Sequence, residues 1–378
     1  MNFFLNSTFA REGNRPGACV FVAGDPWEGP PLGFVESLQR AAVPQNPNWF
    51  GYRNYVPEAQ AAVAAGLRAR TGLAYADEDV LLTNGAFAGL AALCLAVLDP
   101  GDEVIFNSPP WFFYESMLAG SGAVPVRVRV RADDYDLDLA ALEAALTPRT
   151  RAVLVNSPNN PTGRIYPPAT LQALADLLTR ASARLGRVLY LISDEAYKHI
   201  LFDGRKHYSP ALYYPHTLVV YTYGKTLLTP GQRLGYLALP PDMPAADRAE
   251  LRQTIFGAQF LIGFAFPNAL LQYVLPELEQ QHVDLTRLER RRDRFIRALR
   301  GMGYSVHQPE GAFYLLPRSP IPNDWAFTEQ LAARQVFVLP GQAVEMPGFF
   351  RISLTGSDDM VDRALPAFAE TLAGLNAG

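Results

Sequence analysis

Three polar stretches, each placed directly behind an apolar or β-branched run, hold the residues of this chain best equipped for chemistry. Lys225 ends Thr222-Tyr223-Gly224-Lys225, behind the run 218–221. Its amine can form a Schiff base with an aldehyde and later move a proton. Thr222, together with Arg233 in Gln232-Arg233-Leu234, supplies a hydroxyl and a guanidinium suited to a phosphate. Asp194 sits in Ser193-Asp194-Glu195-Ala196-Tyr197, just past the run 188–192, where a buried carboxylate needs a partner. A pyridine nitrogen is one: a carboxylate beside it keeps it protonated and strengthens the ring as an electron sink. Asn160 lies in Ser157-Pro158-Asn159-Asn160-Pro161-Thr162-Gly163, behind the run 152–156, at the strand end where open α/β sheets bind ligands. A fourth stretch, Thr83-Asn84-Gly85-Ala86-Phe87-Ala88, turns a strand into a helix through small residues, and free amides at a helix start bind phosphate. Taken singly, each has an ordinary alternative: turn chemistry for Asn160, a helix cap for Asp194, a solvated loop for Lys225. Gly85 and Gly89 do not make the Gly-x-Gly-x-x-Gly spacing of a nicotinamide site.

Side chains this far apart in sequence meet only if a sheet gathers them. From about residue 79 onward, short apolar runs alternate with amphipathic stretches, the pattern of a mostly parallel sheet flanked by helices. Strands are predicted at 80–82, 104–106, 126–130, 152–156, 188–192, 218–221 and 235–239, with helices at 86–98, 113–121 and 169–185. The stretch 268–300 reads as a long helical connector that should kink or split near Pro276. Beyond it, strands at 311–316, 336–339 and 350–354 with helices at 326–334 and 360–375 suggest a smaller α+β lobe.

Composition agrees. With 378 residues, 49% apolar and 19% charged, the chain can bury a large core in two lobes. A net charge of -4 without a basic stripe argues against nucleic acid as a partner. Cys19 and Cys94 make no disulfide framework, and no apolar run reaches the length of a membrane span. Residues 1–13 lack the order of a secretory signal, so the cytoplasm is expected and the membrane is not.

In this order, with 34 residues from Asn160 to Asp194 and 31 from Asp194 to Lys225, the stretches resemble the class I/II aminotransferases of the aspartate aminotransferase superfamily, fold type I. The resemblance runs from Gly24-Asp25-Pro26 to Phe350-Arg351-Ile352-Ser353. It implies that Lys225 holds pyridoxal 5'-phosphate, that Asp194 pairs with the pyridine nitrogen, and that Asn160 and Tyr197 reach the ring hydroxyl. Lys225, Asp194 and Tyr197 would be the catalytic residues. Backbone amides of Gly85, Ala86 and Phe87, with Thr222 and Arg233, would hold the phosphate. Trp111 would stack on the ring, Arg351 would clamp the substrate α-carboxylate beside Asn160 and Gly24, and Gly311-Ala312-Phe313-Tyr314 would lie next to the site. No metal is called for.

The resemblance further implies a homodimer with shared active sites, in which an aromatic residue of one subunit touches the phosphate held by the other. Spacing back from Pro57 lands on Phe50, whereas phenol chemistry favours Tyr52, which is taken here. Three parts are implied: an N-terminal segment, 1–45, packing with the small domain; a large cofactor-binding domain, 46–280; and a small C-terminal domain, 281–378. The sequence also departs from the family. Phe87 stands where a hydroxyl or lysine is common, and Thr222 and Gly224 where serine is, so phosphate binding should rest more on backbone amides. The segment before Gly24 is short, so the leading helix should be trimmed, and too few residues precede Gly24 for the DNA-binding module of a regulator of this fold. Residues 259–266 contain no arginine, which weakens a dicarboxylate substrate. Trp27, Phe87, Trp111 and Phe112 suggest an aromatic-lined pocket for a neutral or large amino acid. The expected reaction passes the amino group to a 2-oxo acid. The alternative is a lyase, cyclase or ACC-synthase-like enzyme working by β/γ-elimination or cyclisation with the same cofactor residues.

Overall fold

In the computed structural model, which describes residues 2–377, the predicted seven strands form one sheet. Across it run Val80–Thr83, Gly235–Ala238, Thr217–Thr222, Tyr190–Asp194, Thr150–Asn156, Glu103–Ser108 and Val124–Arg129. The last five are parallel to one another, whereas Gly235–Ala238 runs antiparallel to both its neighbours.

The parallel strands read as continuous apolar runs because both faces are covered. Side chains alternate between faces. Ile105, Val153, Val155 and Leu191 pack against Leu171, Leu174 and Leu178 of the helix Pro168–Leu185. Phe106, Leu154, Ile192 and Val220 meet Leu90, Leu93 and Val97 of the helix Gly85–Val97 on the opposite side. Cys94 is buried in that second layer, and both cysteines are free.

The strand predicted at 188–192 is Tyr190–Asp194, two residues later. Residues 187 and 189 are occupied in closing the preceding helix: Arg187 N–H donates to the Ser182 carbonyl and Leu189 N–H to Ser182 Oγ. Asp194 therefore lies in the sheet, opposite Asn156, and not behind it. The connector 268–300 is two helices, Ala269–Leu278 and Leu285–Met302. Pro276 is accommodated in the last turn of the first, and the break comes at 279–284, where Asp284 accepts a hydrogen bond from Arg287 N–H and starts the second.

The smaller lobe holds a three-stranded antiparallel sheet, Leu339–Pro340, Phe350–Ser353 and Tyr314–Leu315, under the helices Leu285–Met302, Asp324–Ala332 and Asp358–Ala377. Its core gathers Phe295, Leu299, Phe313, Phe327, Phe350 and Phe368. The strand predicted at 336–339 is divided at Val338, because its halves take different partners: Val336–Phe337 pairs with Cys19–Val20, and Leu339–Pro340 with the strand of Arg351. The lead-in is short but helical, Asn2–Asn6 then Thr8–Glu12, with Ser7 accepting from Ala10 N–H between them. Among the described residues no helix is long and apolar enough to cross a membrane.

Candidate functional site

Three adjacent parallel strands, Thr150–Asn156, Tyr190–Asp194 and Thr217–Thr222, end on one edge of the sheet. There a cavity of about 260 Å³ opens between the lobes. Asn160, Asp194, Tyr197, Thr222 and Lys225 reach it from the large sheet, Arg351 and Tyr314 from the small one, and Gly24 from the N-terminal segment.

Asp194 is buried, and burial pushes its carboxyl above the usual aspartate range. Hydrogen bonds from Tyr114 Oη at 2.6 Å and Ala196 N–H at 3.1 Å, with the charge of Lys225, oppose that rise. Tyr114 escaped the sequence reading. It lies three residues after Trp111, whose ring it meets edge-on at 5.4 Å, so one phenol ties the buried acid to the aromatic wall. Asn156 supports the same corner: its Nδ2 donates to the Asp194 carbonyl, and its Oδ1 accepts from Asn160 N–H.

Arg351 is buried in the opposite wall. Its Nη1 donates to Asn160 Oδ1 and its Nη2 to the Val22 carbonyl, both at 2.8 Å, while its Nε has no partner. The guanidinium lies 4.2 Å from the Tyr314 ring centre, and burial lowers its pKa. Every hydrogen-bond acceptor it has is neutral, so a carboxylate entering beside it would be strongly favoured. Gly24 is required nearby: a Cβ there would sit 2.7 Å from Tyr314 Oη. Tyr197 Oη lies 3.5 Å from Asn160 Nδ2 and 3.3 Å from Tyr314 Oη, with its pKa raised well above the ordinary tyrosine value by burial.

At the other end, Gly85 opens its helix at φ +82°, and a Cβ there would lie 2.6 Å from Arg233 Nη2 and 3.4 Å from Thr222 Oγ1. Helix start, hydroxyl and guanidinium thus converge on one spot, a good cradle for an anion. Arg233 has no ion pair among the described residues, and burial lowers its pKa. Ala86 and Phe87 line the cavity, whereas Gly85 does not. Gly224 backs onto Pro230, whose Cα would be 2.9 Å from any Cβ. Lys225 Nζ faces the rings of Phe313 at 5.7 Å and Tyr197 at 6.0 Å.

The aromatic wall differs in part from expectation. Phe87, Trp111 and Phe112 line the cavity, and Phe113 and Phe4 join them. Trp27 does not line it; its backbone N–H bonds the Thr355 carbonyl and its indole is half-exposed, because the segment lines the cavity only as far as Asp25. Tyr52, expected at the phosphate of a partner subunit and not at this chain's own, is 84% exposed in a surface depression with Phe50 and Phe266. Among the described residues, no group of three or more His, Cys, Asp or Glu could hold a metal ion.

The model of the family described as aminotransferase class I and II matches residues 23–368. An aspartate/prephenate aminotransferase of Thermus thermophilus is 35% identical over 344 residues, covering 89% of this chain and 87% of its own. An amino transferase of Eubacterium rectale superposes with a TM-score of 0.91 at 29% identity, over 97% of this chain and 93% of the other. Thermus thermophilus aspartate aminotransferase with maleate superposes with a TM-score of 0.83 at 30% identity, over 97% and 96%.

Proposed function

The chain belongs to the class I and II aminotransferases, enzymes that use pyridoxal phosphate, and on that footing we propose that it moves the amino group of a neutral, large or aromatic amino acid to a 2-oxo acid, with Lys225 carrying the cofactor. One observation carries the choice of substrate. The cavity's cations from this chain are Lys225, Arg233 and Arg351, and phosphate, α-carboxylate and aldehyde use all of them, so no cation is left for a side-chain carboxylate, whereas Phe4, Phe87, Trp111, Phe112 and Phe113 offer rings to an apolar one.

The cofactor supplies an electron sink for the electrons left on Cα. The protein's share follows from its geometry. The Gly85 helix start, Thr222 and Arg233 suit the phosphate; Asp194 keeps the ring nitrogen protonated; Trp111 offers a flat face. Arg351 and Asn160 receive the α-carboxylate, which orients the Cα–H bond toward the Lys225 amine, the base that takes and returns the proton. Tyr197 and Asn160 steady the ring oxygen.

The names of the relatives favour a second reading, aspartate or prephenate as substrate. A panel of amino donors with 2-oxoglutarate and pyruvate as acceptors separates the two. Phenylalanine and leucine should exceed aspartate by about tenfold or more in kcat/KM. A lead for aspartate would reverse the substrate assignment, and ammonia release without a new amino acid would favour elimination.

A homodimer is also proposed. Phe50, Tyr52, Phe260, Leu261, Phe264 and Phe266 form an exposed apolar surface, with Tyr52 and Phe260 both against Phe266. Asn84, beside the anion cradle, donates to the Phe264 carbonyl, so the surface adjoins the cavity. Sedimentation should give near twice the chain's 41.6 kDa, and Leu261→Glu should shift it to the single-chain mass with loss of activity. An active, monomeric wild type would end this proposal.

A further inference from the structure

The helix Asn2–Asn6 carries two neighbouring phenylalanines that face different surroundings. Phe3 is buried, stacked on Phe9 at 5.7 Å and edge-on to Trp325 at 5.6 Å. Phe4 lines the cavity, with its ring 5.6 Å from Phe112. The segment is further tied down at Thr8, whose N–H and hydroxyl both donate to Glu329. Trp325 and Glu329 belong to the helix Asp324–Ala332, so the small lobe sets where Phe4 stands, while Phe112 comes from the large sheet's own loop. Among the described residues, nothing else before Ala23 reaches the cavity.

We propose that Phe4 is a specificity-determining residue: with Phe112 it forms an apolar clamp that receives the substrate's side chain and selects large, uncharged donors. The inference rests on the aminotransferase reading of the cavity. With the α-carboxylate at Arg351 and the phosphate at Arg233, both ends of the cavity are committed to anions. The side chain must then lie along the rings. An aromatic or branched group there exchanges water for ring contacts and gains the edge or offset attraction of an aromatic pair. A side-chain carboxylate in the same place loses hydration and gains no donor from Phe4 or Phe112. A methyl group is too short to use the clamp, so alanine should be indifferent to it.

The test uses the holoenzyme as wild type, Phe4→Ala and Phe4→Leu. Phe4→Ala should lose about 10- to 100-fold in kcat/KM for phenylalanine and change by less than about threefold for alanine, with Phe4→Leu between the two. A binding measurement stands beside the kinetics: by intrinsic fluorescence, 3-phenylpropanoate should bind Phe4→Ala more weakly, in proportion to that loss, whereas propanoate binds as before. An equal loss for both donors, or an unchanged phenylalanine-to-alanine ratio in a wild type that prefers phenylalanine, overturns the role of Phe4. A wild type that prefers aspartate overturns the substrate reading itself, and the clamp with it. Phe4→Leu keeps an apolar side chain on the helix, so it guards against a variant that simply undocks the segment.

Discussion

Lys225→Ala is expected to lower turnover by about four orders of magnitude, because one amine serves both as the covalent anchor and as the base that shuttles the proton. Its position makes both duties feasible. Lys225 sits in the single helical turn Tyr223–Thr226 at the end of a buried strand, and its amine faces rings and makes no ion pair among the described residues. Lys225→Arg sharpens the result. It keeps a positive charge near Asp194 but, with a guanidinium, neither links to an aldehyde nor gives up a proton near neutral pH. It should be as inactive as the alanine variant. Steady-state rates with phenylalanine and 2-oxoglutarate, with circular dichroism as a check on folding, decide it; a variant retaining a tenth of wild-type turnover would remove Lys225 from the reaction.

Asp194→Asn is expected to cost about a thousandfold in kcat while making the apoprotein more stable at neutral pH. Asparagine keeps the shape, and its oxygen can still accept one of the two hydrogen bonds that come from Tyr114 and Ala196. What it lacks is the negative charge that holds a proton on a pyridine nitrogen. Burial raises the folded carboxyl's pKa above its unfolded value. The folded state therefore binds the proton more tightly, and the stabilisation this gives is present at low pH and lost as pH rises through the raised value. At pH 7 to 8 the charged, buried carboxylate is a net cost to the apoprotein, which the amide avoids. Melting curves of cofactor-free wild type and variant should diverge as pH rises above the ordinary carboxylate range near 4 and converge below it. A wild type more stable than Asp194→Asn at pH 8 would contradict the sign.

The sheet was legible because buried parallel strands leave little freedom in composition: runs such as 152–155 and 218–221 are apolar or aromatic throughout, and the polar residue that follows each run marks the edge where ligands bind. Asp194, Lys225 and Asn160 could be picked out for that reason. Other features depend on contacts that no local pattern encodes. Tyr114 looks like any aromatic residue at a helix start until the fold carries it to a carboxylate 80 residues away. Phe3 and Phe4 are the same residue type side by side, and only docking on Trp325 decides which faces the cavity. Trp27 has the composition of a pocket residue but lies beyond Asp25, the last residue of its segment to line the cavity. The connector does split near Pro276, but its exact place depends on the end of the first helix at Leu278 and on the Asp284 cap that fixes the new start.

One strand of the sheet runs against the rest, and this governs how the site could change over time. Because Gly235–Ala238 is reversed, its beginning, not its end, lies at the ligand edge, and the chain returns there from Thr222 within a dozen residues. Lys225 and Arg233 therefore hang on a single short loop, with Gly235 set so close to Gly85 that a Cβ on it would fall 2.9 Å from the Gly85 Cα. An insertion or deletion between them would move the covalent and the ionic grip together. The two grips form a single unit of inheritance, whereas the side-chain wall, assembled from separate segments, is free to drift toward new donors.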